Sequence, residues 1–537
     1  MAGAVIETLS TKKLVAMVLG LVVLEIGFVI LGGIVAPNPT MSIVLTATTC
    51  INNKSQDWIL PETCEQMELD PKNHQETISH QGPDDNPKHD PNNVVFAVVV
   101  PKKDLEMSRW FQYMLTLAIF RIPYNIQHEV APDAMATLDI RLAYSNDYNS
   151  YKSPKSWQSV VNSTQERPLE CVFEHPKTYE YTGFEYNCDP LFISQLGSLP
   201  HKHYLINIRL PVNKAHPKIS PNMKIGQVTE IDFVAVTQTG GFTYLWVCIK
   251  ATLCVVMIFP CLWYWRKLST SDQPATLTEK AIFALGLGML FLNGPFELVT
   301  IFTDASWMLM ITDLRQGLFY ALLCTFWVIY INEHFKNKAK KNKLSVYKWQ
   351  LAVIILTCFA FTGLKLAERG SQLSHPASIL WQSPKGALTI FVCQCIAGVL
   401  FFLHLCFLVI RGLYLQRFRQ FTSSVRATTD FKSFVNRYLM LTLLSIGTSG
   451  MTVAYFIFGL QLEGWLVPEI TLPTSSVFYI GVYGLWNLYA LLVLLLYAPS
   501  NKVSNVFYID DTNNLTLDSD EVSIKKNRFL QTVNKET

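Results

Sequence analysis

Half of the 537 residues are hydrophobic and only 16% are charged, where a soluble protein carries about a quarter of its residues charged. The deficit points to lipid. A net charge of +3, spread over loops and not gathered into a patch, implies no nucleic-acid partner.

A helix needs roughly 20 apolar residues to cross a hydrocarbon core about 30 Å thick. Eight stretches qualify in chain order: Leu14–Ala36, Thr243–Trp265, Ala281–Phe302, Gly317–Ile331, Trp349–Leu366, Ala387–Ile410, Tyr438–Phe456 and Val477–Tyr497. The fourth is short and is expected to begin earlier. The first is read as a retained span, because a signal peptide has an apolar stretch of only about 7 to 15 residues and Pro37 stands where the new N-terminus would fall. With a cytosolic N-terminus, the short inner loops hold three, six and six lysines and arginines, against four (Arg315, Lys365, Arg369 and Lys385) in the outer ones. The positive-inside bias therefore places both termini in the cytosol and the segment 37–241 in the lumen or outside. The expected order is a cytosolic N-terminus (1–13), a first helix (14–36), a lumenal domain (37–241), a seven-helix core (242–498) and a cytosolic tail (499–537).

The segment 37–241 is the size of an independent domain. Its expected strands, Asn93–Pro101, Ala136–Tyr144, His203–Val212 and Gln227–Gln238, are rich in Val, Ile, Phe, Tyr and Thr and suit a β-sandwich. The fold class is thus an α+β membrane protein. Asn73–Asn92 has too little apolar content to pack and is expected to be a mobile loop. Asn53-Lys54-Ser55 and Asn162-Ser163-Thr164 fit the glycosylation pattern in the lumenal segment, and Asn514-Leu515-Thr516 fits it in the cytosolic tail. Cys50, Cys64, Cys171 and Cys188 permit two disulfides in an oxidising lumen. Cys50 with Cys64 and Cys171 with Cys188 are the pairings closest in sequence, among three possible connectivities.

Ionisable or strongly polar residues within the spans include Glu25, Lys250, Asn293, Glu297, His404 and Asn487, and an intramembrane ionisable group is a functional candidate by default. Lys250 lies about 10 Å from the lumenal end of its span, within reach of the interface by snorkelling. Glu25 is expected to pair within the bundle or to be protonated. Asn293-Gly294-Pro295 interrupts the third span and frees carbonyls that only neighbouring helices or water satisfy. Glu297 follows Asn293 by one turn, so both face one side, towards the bundle interior. Ser445 and Ser449, with Gly447 and Gly450, suit close helix approach.

Nothing forms an active site. His404 invites comparison with an intramembrane acyltransferase histidine, but it stands alone on a Leu-rich face and reads as a packing residue. Glu333-His334 lacks the second histidine of a zinc protease, and His201 with His203 lacks a third metal ligand. There is no nucleophile elbow and no phosphate loop. No catalysis, metal or cofactor is expected.

Several blocks from end to end resemble the Wntless family. They include Ser10-Thr11-Lys12-Lys13-Leu14, Met107-Ser108-Arg109-Trp110-Phe111-Gln112, Tyr204–Pro211, Gly240-Gly241-Phe242-Thr243, Asp313–Ala321, Glu368-Arg369-Gly370, and Tyr483–Tyr489 leading to Tyr497-Ala498-Pro499-Ser500. The resemblance implies a lumenal β-sandwich, seven later helices arranged somewhat like a G-protein-coupled receptor, and a cargo of acylated Wnt whose lipid chain enters an apolar cavity. Phe319, Tyr320, Tyr479, Tyr483 and Trp486 are assigned as its walls, with Asn293 and Glu297 beside them. It also implies membrane lipid, retromer and a clathrin adaptor as partners, and passage through endoplasmic reticulum, Golgi, endosomes and plasma membrane. Two features depart from the family. Thr428-Thr429-Asp430-Phe431 stands where members carry a tyrosine-based endocytic signal, and the terminal Asn534-Lys535-Glu536-Thr537 only weakly echoes the retrieval signal. The alternative reading is a seven-helix signalling receptor with a large ectodomain.

If the charge count sets the topology, Asn53 and Asn162 accept glycans and Asn514 stays bare. Glycosidase mobility shifts of single Asn→Gln variants check this, and a glycan on Asn514 would overturn the orientation.

Overall fold

The computed structural model describes residues 11–52, 57–66, 91–101, 105–124, 129–146, 156–173, 185–213, 221–271, 274–333, 342–378, 440–452 and 476–499, with Val5, residue 454, scattered positions from 392 to 414, and 507–509 and 515–517. Asn53, Asn514, nearly all of 73–92, most of the sixth expected span, residues 428–431 and the last residues of the tail lie outside them.

Among the described residues, six helices are long and apolar enough to cross a membrane, and the protein is a multi-pass membrane protein. Helix α1 (Thr11–Ile30) runs on into a π-helical turn, Leu31–Val35. After the β domain come α2 (Gly240–Ser269), α3 (Leu277–Asn293) with its short continuation α4 (Glu297–Phe302), α5 (Met308–Glu333), α6 (Lys348–Ser374) and α7 (Ser476–Leu496). Residues 440–452 are helical as well. The fourth expected span does begin earlier, at Met308. Arg315 is therefore a helix residue and not the outer-loop cation of the charge count. Lys365 and Arg369 likewise lie within α6.

The start of α3 is fixed by a capping box. Glu279 N–H donates to Thr276 Oγ1 at 3.3 Å, and Thr276 N–H donates to Glu279 Oε2 at 2.8 Å, satisfying two of the donors a helix start leaves over. Its end is fixed by Gly294-Pro295, since proline lacks the N–H that would continue the ladder.

Between α1 and α2 lie two antiparallel sheets. The first contains β1 (Thr40–Thr46), β12 (Glu230–Gln238), β5 (Met114–Pro123), β9 (Glu185–Cys188) and β8 (Cys171–Phe173) in that order, with β10 (Leu191–Leu196) also paired to β5. The second runs β3 (Glu65–Gln66), β2 (Thr48–Ile51), β4 (Val94–Val100), β11 (His203–Arg209), β6 (Met135–Ser145) and β7 (Gln158–Pro168). Phe96, Val98, Ile140, Ile206 and Ile208 of the second sheet share one core with Ala118, Phe120, Ile231 and Phe233 of the first. Strand β4 reads as an unbroken apolar run because both of its faces are covered. Val94, Phe96, Val98 and Val100 enter the core between the sheets, while Val95 and Ala97 pack with Ile59, and Val99 with Leu60 and Trp157, on the outer side. Disulfides join Cys50 to Cys64 and Cys171 to Cys188, the second pair directly opposed in the β8–β9 register.

The β domain is seated on the helices. Arg109 pairs with Asp304 at 2.8 Å and donates to the carbonyls of Ile301 and Phe302, while Thr300 Oγ1 donates to Gln112 Oε1 at 3.0 Å. Beyond α6, Ala377 is buried in the β-domain core, and its carbonyl accepts from the buried Arg167 at 2.5 Å. Gln195 N–H donates to Pro376 O at 2.9 Å.

Helix α7 packs on α1, where a Cβ at Gly484 would collide with the Phe28 ring. Gly484→Ala should force the two helices apart, at a cost of about 1–3 kcal/mol for overpacking. The measurement is thermal stability in detergent, and an unchanged melting temperature would contradict the close approach.

Candidate functional site

The break between α3 and α4 is the point from which the buried polar chemistry spreads. Gly294 lies in the break, and its carbonyl accepts from Arg315 Nη1 of α5 at 2.6 Å as well as from Phe296 N–H at 2.8 Å. Arg315 Nη2 donates to Glu297 Oε1 at 3.0 Å, and Lys250 Nζ of α2 reaches the same oxygen at 2.5 Å. Aromatic faces line the cations: Lys250 lies 5.2 Å from the Trp246 ring centroid and 5.8 Å from that of Tyr483, and the Arg315 guanidinium 4.8 Å from that of Phe296. Such placement favours a cation over a ring electrostatically. Arg315 is 0% exposed and Lys250 3%, so the expected snorkelling of Lys250 is corrected. The Glu297 carboxylate holds the ammonium inside.

Two cations share one carboxylate, and Arg315 Nε and Glu297 Oε2 find no hydrogen-bond partner among the described residues. The cluster is therefore held by mutual attraction in a low dielectric, and removing one member is costlier than the pair's net worth.

On the other side of the break, Tyr483 O–H donates to Asn293 Oδ1 at 2.6 Å, Asn293 Nδ2 donates to Asn487 Oδ1 at 2.6 Å, and Asn487 Nδ2 donates to Tyr483 O at 2.9 Å. This ring of bonds ties the end of α3 to α7. Asn293 and Glu297 thus both face inward, Asn293 towards α7 and Glu297 towards α2 and α5.

Beside the polar cluster, on another face of α7, lies an aromatic one. Phe319 meets Trp486 edge-on with centroids 6.5 Å apart, and Trp486 lies 6.2 Å from Trp327 and 5.6 Å from Tyr489. Trp327 Nε1 donates to Tyr489 Oη at 3.0 Å. Towards the β domain, Trp246 packs on Tyr483 at 4.7 Å, and Tyr479 on Phe242 at 5.9 Å. Of the residues chosen from sequence, Phe319, Tyr483, Asn293 and Glu297 are in the interior and Phe319 touches Trp486. Tyr320 points outward, 42% exposed, and Tyr479 is 36% exposed. Sequence reasoning does not find Arg315 or Trp246. Arg315 lies inside the Asp313–Ala321 block but falls in a loop when the span starts at Gly317; a pattern that began the span at Met308 would have found it.

Other expectations resolve locally. Gln350 Nε2 donates to His404 Nε2 at 3.3 Å, a packing bond between helices. His201 stacks on Tyr144 with centroids 3.4 Å apart, and burial lowers the imidazole pKa of both His201 and His203. Among the described residues no group of three metal ligands gathers. Ser445 donates to Leu441 O and bonds Tyr489 Oη at 2.8 Å. A Cβ at Gly447 or Gly450 would meet no described atom within 4 Å, while tight approaches among the described residues include Gly32 against Val477, Gly288 against Leu322, Gly317 against Thr362 and Gly484 against Phe28.

The division into β domain and helical bundle is repeated in known proteins. Residues 48–238 match the family described as Wntless, GOLD domain, and residues 239–501 the one described as Wntless-like, transmembrane domain. The "Protein wntless homolog" of Gallus gallus is 36% identical over 521 residues, covering 94% of this chain and 92% of its own. The chain belongs to the Wntless family. The Homo sapiens "Protein wntless homolog" is 34% identical over the same shares, and the "Protein wntless" of Drosophila ananassae is 28% identical over 94% of this chain and 90% of its own.

Glu297→Gln should leave Lys250 and Arg315 without a counter-charge and destabilise the bundle by about 3–5 kcal/mol. Adding Lys250→Met should recover part of that loss in a thermal-stability assay. Equal losses in the single and double variants would mean that the three charges are not coupled.

Proposed function

We propose that this chain is a carrier that binds lipid-modified Wnt and conveys it along the secretory pathway, with the acyl chain held among the helices. The observation that carries the reading is the 36% identity over 94% of the chain to a wntless homolog, which spans the β domain and the bundle together. The physical need is clear. A fatty acyl chain of about 16 carbons costs about 0.8 kcal/mol per methylene exposed to water, so a secreted protein bearing one needs an apolar host until delivery. The proposed walls are Phe319, Tyr320, Tyr479, Tyr483 and Trp486, with Asn293 and Glu297 at the polar end. Their placement on α5, α7 and the α3–α4 break supports the assignment, and the partial exposure of Tyr320 and Tyr479 suits a lateral entrance.

In this reading the β domain is lumenal and both termini are cytosolic. Moving Arg315, Lys365 and Arg369 from loops into helices sharpens the charge asymmetry on which that orientation rests. Retromer and a clathrin adaptor would recycle the carrier between endosomes and the Golgi. The protein binds and conveys; no chemistry is assigned to it.

Phe319→Asp should reduce capture of acylated Wnt, since a carboxylate placed in an apolar site costs several kcal/mol in desolvation. Surface delivery of the variant without cargo should persist, which separates binding from folding. A Wnt whose acylated serine is replaced by alanine should be captured poorly by the unmutated carrier. Equal capture of acylated and non-acylated Wnt at matched expression would sink the lipid-cavity mechanism.

A further inference from the structure

Residues 107–112 carry several of the contacts between the β domain and the helices. Arg109 reaches Asp304 and the carbonyls at the end of α4. Trp110 meets Tyr244 of α2 edge-on with centroids 5.8 Å apart, and Gln112 meets Thr300 of α4. Tyr113 then leads straight into β5 at Met114.

Gln112 has φ 58° and ψ −59°, a backbone outside the small left-handed well open to ordinary residues. Across it Tyr113 N–H donates to Phe111 O at 2.6 Å, which closes a γ-turn of the rare, strained hand. Glycine takes such a conformation freely, yet a glutamine stands here. Its side chain holds the turn: Nε2 donates to Arg109 O at 3.0 Å, and Oε1 accepts from Thr300 Oγ1 at 3.0 Å. Thr300 Oγ1 also lies 2.6 Å from Glu297 O. A hydroxyl has one proton to donate, so Gln112 Oε1 and Glu297 O compete for it. Backbone strain persists only where the surroundings over-determine it, and here one of the holding bonds is shared with the residue whose carboxylate anchors the charge cluster.

We propose that Gln112 is a strained latch between the β domain and the bundle, closed while the Thr300 proton serves Gln112 and released when that proton goes wholly to the Glu297 carbonyl. On release Gln112 loses its hold on α4, and its backbone leaves the γ-turn for an ordinary extended conformation. The chain between Arg109 and β5 then changes direction while Arg109 stays anchored on Asp304. The two positions of one proton give the device two discrete states, as a coupling element needs. The strain drives the opening, which explains why glycine does not occupy the turn. The latch works on the chain alone, so its failure leaves the proposed function standing.

The test follows amide hydrogen exchange by mass spectrometry on the full chain in detergent, comparing a peptide over residues 108–113 with peptides from β6 and β11. Thr300→Val keeps the side-chain shape and removes the proton. It should raise exchange in 108–113 by about fivefold, the weight of one hydrogen bond, and leave β6 and β11 unchanged. Thr300→Ser, which keeps the hydroxyl, should exchange as the wild type does. Adding Gln112→Gly to Thr300→Val should bring exchange back towards the wild-type rate, because glycine holds the turn without strain. Unchanged exchange in Thr300→Val overturns the latch. Exchange in the double variant at or above that of Thr300→Val overturns the strain that drives it. A rise shared by β6 and β11 makes Thr300 a support of the whole domain and overturns the latch as well.

Discussion

The buried cluster of Lys250, Glu297 and Arg315 is the constraint around which the bundle is arranged. A proline break in a membrane helix strands carbonyls where no water is available, and each one left alone costs several kcal/mol. At this break Arg315 donates to Gly294 O, which Phe296 N–H also serves. A guanidinium cannot be buried uncompensated, so Glu297, just past the break, supplies the charge, and Lys250 completes the cluster from α2. Three helices are thereby pinned at one depth. Ridge-and-groove packing alone does not specify depth in lipid, where apolar faces are interchangeable with acyl chains.

The same break governs how the β domain is held. Because α4 is a short second segment ending at Phe302, the turn that follows presents Asp304 and the carbonyls of Ile301 and Phe302 to Arg109. Thr300 of α4 bonds both Gln112 of the β domain and the Glu297 carbonyl. The charge cluster and the domain seat are therefore opposite ends of one six-residue helix. A movement of Glu297 relative to Arg315 would be felt at Arg109, and a cargo touching both domain and bundle would bear on both ends.

Much of this is legible in the sequence, and the gaps have physical causes. Strands β4, β6, β11 and β12 stand out because β-branched and aromatic residues crowd them. Strand β5 escapes notice although Met114, Thr116, Ala118, Phe120 and Ile122 alternate inward, since the residues between them (Leu115, Leu117 and Ile119) are also apolar and blur the period. Strand β7 escapes it because Ser, Asn, Thr and Gln on an exposed edge carry no hydrophobic signal. In the bundle, the kink and the inward Asn293 and Glu297 follow from Asn293-Gly294-Pro295. Their partners do not, because which cation a buried carboxylate meets depends on helix order in space. Lys250 and Arg315 are 47 and 18 residues from Glu297 in the chain, beyond any local pattern.

Polar and aromatic side chains occupy different faces of α7, which bears on how one bundle could hold three charges and also host the acyl chain proposed above. Tyr483 and Asn487 face the break, while Trp486 and Tyr489 face Phe319 and Trp327. Four residues of helix rise only about 6 Å, so the charges sit within a few carbon lengths of the aromatic wall. Left open, they would draw water into the bundle and raise the cost of placing an acyl chain there. Their mutual pairing, the cover given by Trp246, Tyr483 and Phe296, and the closed ring of Tyr483, Asn293 and Asn487 confine that polarity to one side. Tyr483 belongs to both sets: its hydroxyl serves Asn293 while its ring lies beside Lys250 and packs on Trp246. It is the residue through which a lipid lying against the aromatic wall would meet the helix break.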